Sequence, residues 1–375
     1  MATSARVHAA SKAHAAPTVR ATSRHGPGAL LVRAVALLLI GAIPVAFSAQ
    51  VDPARLVASR DEEAAIARAL ASGMTVTDFT NYDDRAIERS LATLRPVPKV
   101  LVLGSSRMQP LAASAFPGAT FANAAMQGGT LDDMLAVYAL YDVDGRRPRQ
   151  VVLGIDPWTQ SYRAAAGWGT LVDERATMLR RIGVPASPWR DRVTLETALL
   201  KRLASPEYFR LSVFSFRRHG AGGITWRSTD LARSAEKSKR PDGSVVWADV
   251  PRDAAGALAA RYAAEALSGD ARFARLDARA SGHPDLLERF VRYLRGQGVE
   301  VTLLLAPYPP DVYDAFSRLP GHSVAAVEAD LRAMSARSGA SLLGSYDPKP
   351  SGMTTRDFFD ESHLRPEALA RLLVR

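Results

Sequence analysis

Lys99-Val-Leu-Val-Leu-Gly-Ser-Ser-Arg107 is the strongest strand signal in the chain. Its Val and Leu run without a polar interruption, the pattern of a parallel strand covered on both faces. The run stops at Gly104 and delivers Ser105 and Ser106 to the strand's C-terminal edge. Working outward, strands are expected over residues 100–104, 120–122, 151–155, 299–305 and 341–343, and helices over 131–140, 284–295, 323–338 and 366–373. Pro284 and Asp285 open one of these helices and Gly296 and Gly298 close it. This alternation predicts an α/β fold, a parallel sheet of about five strands sandwiched between helices. In such open sheets the ligand crevice lies beyond the carboxyl ends of the strands, where Ser106, Asp156 and Tyr308 arrive.

A second segment sits near the other end of the chain, Phe358-Phe-Asp-Glu-Ser-His-Leu364, with Asp360 three residues before His363. Taken alone each segment has an ordinary reading: Gly and Ser make a tight turn, and Asp360 caps the helix that begins at Pro366. Taken together, an early Ser and a late Asp and His are the minimum set that makes a hydroxyl nucleophilic at neutral pH.

The N-terminus sets the compartment. Residues 1–28 are rich in Ala, Ser, Thr, Pro and Gly, carry Arg6, Lys12, Arg20 and Arg24 and no acid, and read as a disordered cytoplasmic leader. Residues 29–49 are apolar apart from Arg33, with an uninterrupted run over 34–47. By length and flanking charge this is a transmembrane anchor that leaves the main domain outside the inner membrane, in the periplasm. A cleaved signal ending near Ala46-Phe-Ser48, which would make the protein secreted, is the rival. Residues 50–98 read as a helical lead-in and 99–375 as the α/β domain, interrupted by an insertion over 157–283. The insertion holds all five tryptophans, Trp158, Trp168, Trp189, Trp226 and Trp247, and the turns Gly220-Ala-Gly-Gly223 and Arg240-Pro-Asp-Gly243. It reads as a lid or carbohydrate-facing wall, or as a unit whose tryptophans form its own core.

Composition excludes several chemistries. The chain has no cysteine, hence no disulfide, thiolate metal site or Cys nucleophile. Its net charge of +10 is partly the leader's, and elsewhere Arg is interleaved with Asp and Glu, so no nucleic-acid-binding stripe is expected. Gly128-Gly129 does not make a Gly-x-Gly-x-x-Gly loop and the seven histidines lack metal-ligand spacing, so no metal or cofactor is expected. His283 and His322 fall at expected helix starts and read as capping or surface residues.

The order of strand-Gly104-Ser-Ser106, then Asn123 and Gly128-Gly129, then Leu153-Gly-Ile-Asp156, then Asp360-x-x-His363 resembles the SGNH/GDSL hydrolase superfamily. It looks most like the membrane-anchored branch that includes the D-alanyl-lipoteichoic acid protein DltD and the alginate and exopolysaccharide O-acetylation proteins. The likeness covers residues 99–156 and 299–373. It implies a three-layer flavodoxin-like fold, Ser106 as nucleophile, His363 as general base and then acid, and Asp360 fixing the imidazole tautomer. It also implies an oxyanion site made by the N–H of Ser106 and that of Gly128 or Gly129. The activity implied is a serine esterase or O-acetyltransferase acting on a cell-envelope or secreted polysaccharide. For a transferase it further implies a membrane-bound O-acyltransferase as partner, since acyl thioesters are cytoplasmic.

Two departures accompany the likeness. Gly104-Ser105-Ser106 stands where the superfamily has Gly-Asp-Ser, and Gly154-Ile-Asp-Pro157 where it has Gly-x-Asn-Asp. An ionised carboxylate cannot donate to an oxyanion. Asp156 is therefore protonated, or it orients another group such as Arg107, or the oxyanion site comes from Asn123 and the backbone alone. Arg107 neutralises a substrate carboxylate, pairs with Asp156, or is simply a surface residue at a helix start, the reading its position favours. The altered blocks also admit a non-catalytic envelope protein that keeps the fold and binds or helps assemble a polysaccharide.

Overall fold

The computed structural model of the chain describes residues 27–54, 56–57, 59–79, 82–143, 145–159, 170–219, 225–231, 236–248, 251–252, 254–268, 285–319 and 324–373. The leader up to residue 26, Trp168, the Gly220 to Gly223 turn, His283 and His322 lie outside the described residues.

In chain order the elements are α1 (Pro27–Val51), α2 (Asp61–Ala71), β1 (Thr75–Thr77), α3 (Asp84–Leu94), β2 (Val100–Leu103), β3 (Phe121–Asn123), α4 (Leu131–Tyr141), β4 (Gln150–Gly154), α5 (Val172–Arg181), α6 (Pro188–Leu203) and α7 (Pro206–His219). There follow β5 (Arg227–Thr229), β6 (Ser238–Lys239), β7 (Val245–Val246), α8 (Ala254–Ser268), α9 (Leu286–Gly296), β8 (Glu300–Leu305), α10 (Pro310–Arg318), α11 (Val324–Ser338), β9 (Ser341–Gly344) and α12 (Pro366–Arg371).

The main sheet has five strands in the order β3-β2-β4-β8-β9, every pair parallel. Leu101, Leu103, Val151, Leu153, Val301, Leu303 and Leu305 point into one core with α4, α9, α10 and α11, while Val100, Val102, Val152 and Leu304 point into another with Phe358, Leu364 and α12. Helices on both faces explain why the central strands β2, β4 and β8 are apolar over most of their length rather than alternating. From β2 the chain turns to one side for β3 and returns to the other for β4. That reversal is a topological switch point, and in open α/β sheets the crevice lies beyond the strand ends at such a point, here the ends of β2 and β4.

The lead-in is more than helical. β1 is the second strand of a four-stranded antiparallel sheet, β5-β1-β6-β7, whose other three strands come from the insertion. Ile66, Ala67, Leu70, Val76, Phe79, Ile87 and Leu91 form a separate small core beside it. Strands of two or three residues show no sequence period, and the partners of β1 lie about 150 residues away.

α1 stands apart. The most apolar 18-residue window within residues 30–51 has mean hydropathy 2.5 and no part of it is buried, so the helix is long and apolar enough to cross a membrane or to serve as a signal sequence. Only its last turns are covered: Phe47 meets Phe209 and Phe216 of α7 edge-on at 5.8 and 5.6 Å.

Candidate active site

Ser106 opens a single 3-10 turn, residues Ser106–Met108, directly after β2, and extended Ser105 caps it. Met108 fills the space beneath the turn. A Cβ at Gly154 would lie 2.0 Å from Met108 Cγ and one at Gly104 2.7 Å from it, so both strand ends need glycine for this side chain to fit.

The chain's far end meets this turn. His363 Nε2 is 2.8 Å from Ser106 Oγ, and His363 Nδ1 is 2.8 Å from Asp360 Oδ2. With Nδ1–H donated to Asp360, Nε2 is left to accept the Ser106 proton. The Asp360 carboxylate also accepts from the backbone N–H groups of Ser362 and His363, each at 2.8 Å. Its burial pushes the pKa up, but the hydrogen bond and charge of His363 and these two N–H groups outweigh it, holding the carboxyl below its ordinary value. Trp247, just past β7, lies against the imidazole with ring centroids 4.8 Å apart, and Lys237 Nζ sits 4.5 Å from the Trp247 centroid.

Arg107 corrects its reading as a surface residue. Its side chain is sealed in, donating to Asp156 Oδ1 at 2.7 Å and to the carbonyls of Ala306, Pro307 and Ser362 at 2.7, 2.5 and 3.1 Å. The guanidinium also stacks 4.0 Å above the Tyr308 ring centroid. Asp156 accepts a second bond from Ser105 Oγ. Of the three roles open to Asp156, the geometry is that of an orienting group. Ser105 and Asp156, the two departures from the usual blocks, belong to one network that ties β2, β4, the end of β8 and the His363 loop together.

The glycine pair lies against the end of β2: a Cβ on Gly129 would sit 2.3 Å from the Gly104 carbonyl oxygen. The Gly129 N–H is spent on Met126 O at 3.0 Å, whereas those of Gly128 and Ser106 have no hydrogen-bond partner among the described residues. Asn123 is occupied, its amide donating to the carbonyls of Met108 and Leu111 at 2.9 and 2.7 Å, so it clamps the loop after Ser106.

Two groups of residues that the sequence did not single out hold this machinery. Asp84 accepts from the Gln127 N–H at 3.0 Å and faces Lys239 Nζ at 3.3 Å, while Glu88 meets the same ammonium at 3.0 Å, all three buried. Arg85 pairs with Asp133, which with Thr130 makes the capping box of α4. The β6–β7 turn docks at the end of β3, beside the Ser106 turn: Asn123 N–H donates to Asp242 O at 2.8 Å, and Gly243, at φ +83°, leaves only 2.1 Å between an added Cβ and Asn123 O. The insertion is thus keyed to the site. Nothing in the isolated segments signals this, beyond the Arg240-Pro-Asp-Gly243 turn itself.

Among the described residues no group of three or more His, Asp or Glu could hold a metal ion. Comparison of the chain with family models, with curated proteins and with solved structures finds no match.

Proposed function

We propose that the protein is an extracytoplasmic serine-dependent acyl-ester hydrolase or O-acyltransferase acting on a cell-envelope or secreted polysaccharide through an acyl-Ser106 intermediate. The observation that carries this reading is the 2.8 Å approach of His363 Nε2 to Ser106 Oγ across 257 residues of chain. The main-sheet order, in which the first strand lies between the second and third, supports a flavodoxin-like SGNH-type fold. The apolar α1 with basic residues before it supports an inner-membrane anchor and a periplasmic domain.

In the first half-reaction Ser106 Oγ attacks the ester carbonyl carbon as its proton passes to His363 Nε2. The carbonyl oxygen gains charge and is met by the N–H groups of Ser106 and Gly128, each such donor contributing about 3 kcal/mol when preorganised. The intermediate collapses as the alkoxide leaves with the proton from Nε2. In the second half water or a sugar hydroxyl gives a proton to Nε2 as it attacks the acyl carbon, and the new intermediate collapses as Ser106 Oγ leaves with that proton from Nε2, restoring the neutral imidazole. Asp360 holds the ring and stabilises the imidazolium in both halves. A transferase would receive its acyl group from a membrane-bound O-acyltransferase.

The test is labelling of the full chain in detergent with a fluorophosphonate probe, beside turnover of a chromogenic acetyl ester and release of acetate from acetylated glycans. Labelling that is lost in Ser106→Ala supports the enzyme. Folded wild-type protein that neither labels nor turns over overturns it in favour of a polysaccharide-binding protein.

A further inference from the structure

We infer that the α6–α7 hairpin is a second membrane foothold, an interfacial pair of helices that lies on an anionic phospholipid leaflet beside the point where α1 leaves the bilayer. The inference rests on the anchor reading of α1 and is independent of the acyl chemistry at Ser106.

Three observations carry it. First, α6 is a 16-residue helix with a single buried residue, Leu203. Trp189, Val193 and Leu200, which share one face at i, i+4 and i+11, are 63%, 53% and 63% exposed. On α7, Leu211 and Phe214 are likewise exposed at i, i+3. A water-facing helix surface does not ordinarily gather these side chains into stripes.

Second, the level is fixed by contact. Phe47 is the last residue of the uninterrupted apolar run of α1, and it is the residue that packs on Phe209 and Phe216 of α7. The turn after α1 is tied to the same helix, for Tyr208 Oη donates to Asp52 at 2.8 Å while Asp52 accepts from the Leu56 and Val57 N–H groups. A helix held there sits where an anchor would leave the hydrocarbon. At that depth exposed Trp, Phe and Leu are stabilised by lipid and not by water.

Third, the charge is complementary. Residues 188–219 carry seven Arg and Lys against three Asp and Glu. Arg190 and Arg218 lie over the rings of exposed Trp189 and Phe214, which places their guanidinium groups beside the apolar stripes, as headgroup contact requires.

The natural absence of cysteine makes the test direct. Single cysteines at Val193, Phe214, Ile40 and, as a water-facing control, Leu267 on α8 are introduced into the full chain and spin-labelled. The protein is then reconstituted into mixed phosphatidylglycerol and phosphatidylcholine vesicles. Relative accessibility to oxygen and to a water-soluble nickel chelate reads depth. The expected result is Ile40→Cys in hydrocarbon, Val193→Cys and Phe214→Cys roughly 5–10 Å below the headgroup boundary, and Leu267→Cys in water. Leaving out phosphatidylglycerol should shift both hairpin labels outward. Hairpin labels in water with Ile40→Cys in hydrocarbon overturn the inference and leave the anchor standing. Ile40→Cys in water as well overturns both. Hairpin labels that neither oxygen nor nickel reaches overturn it in favour of a protein partner or a second copy of the chain.

Discussion

Two ion pairs flank the same serine turn, and their exposure separates their tasks. Arg107 and Asp156 are each 2% exposed, whereas His363 and Asp360 are 15% and 25% exposed. A pair that must hold geometry gains from a sealed, low-dielectric site where every donor is used. A pair whose proton must move in each turnover has to be reachable by substrate and tolerate both charge states. Serine sits between them, its backbone fixed by one pair and its hydroxyl addressed by the other.

The largest effect that sharpens this contrast is on catalysis. Ser106→Ala and His363→Ala should each lower kcat on an activated acetyl ester by roughly 10⁴-fold to 10⁶-fold while leaving the melting temperature near wild type. A His363→Ala protein that unfolds early would undo the contrast, since the half-buried pair would then be structural too. Arg107→Met should do the reverse. It leaves the Asp156 carboxylate buried beside Ser105 without its cation, and loss of one partner of a buried pair costs about 3–5 kcal/mol, measurable by chemical denaturation. Adding Asp156→Leu should recover part of that loss, because both charges are then gone.

Another buried cluster tests how far the support extends. Lys239 neutralises Asp84 and Glu88, and burial already pushes the Glu88 carboxyl up despite that cation. In Lys239→Met one carboxylate takes up a proton, so the cost should be about 2–4 kcal/mol, below that of a stranded charge. Because Asp84 holds the Gln127 N–H, kcat/KM should fall by about tenfold as well. An unchanged kcat/KM in the folded variant would show that the glycine loop does not depend on the lead-in.

The central sheet and the meeting of Ser106 with His363 and Asp360 were legible because each segment carries its signature locally: apolar runs from burial on two faces, and residue types that a proton transfer would need. Strands expected at 100–104 and 151–155 stand at 100–103 and 150–154. Arg107 was not legible, since a cation at a helix start is ordinarily solvated. What offsets its burial comes from residues 156, 306, 307, 308 and 362, none of them near it in sequence. The antiparallel sheet was hidden for the same reason, being assembled from segments too short to show a period. Trp247 stood out only as one tryptophan of five, and its contact with His363 depends on the β6–β7 turn docking at Asn123.

The smallest expected effect concerns pH. The Asp360 carboxyl is held below its ordinary value despite burial, by His363 and two backbone N–H groups. A depressed carboxyl pKa contributes stability that is fully present above the unfolded value, about 4, and is lost as pH falls through the folded value beneath it. Denaturation midpoints of wild type should therefore drop relative to those of Asp360→Asn only below about pH 4, and the two curves should run parallel above it. An acid limb in the activity profile at higher pH would then belong to a group other than Asp360. If the wild-type midpoint instead converges on that of the variant well above pH 4, the carboxylate is not stabilised by its partners. The half-buried pair would then lack the hold on its tautomer that distinguishes it from a chance contact.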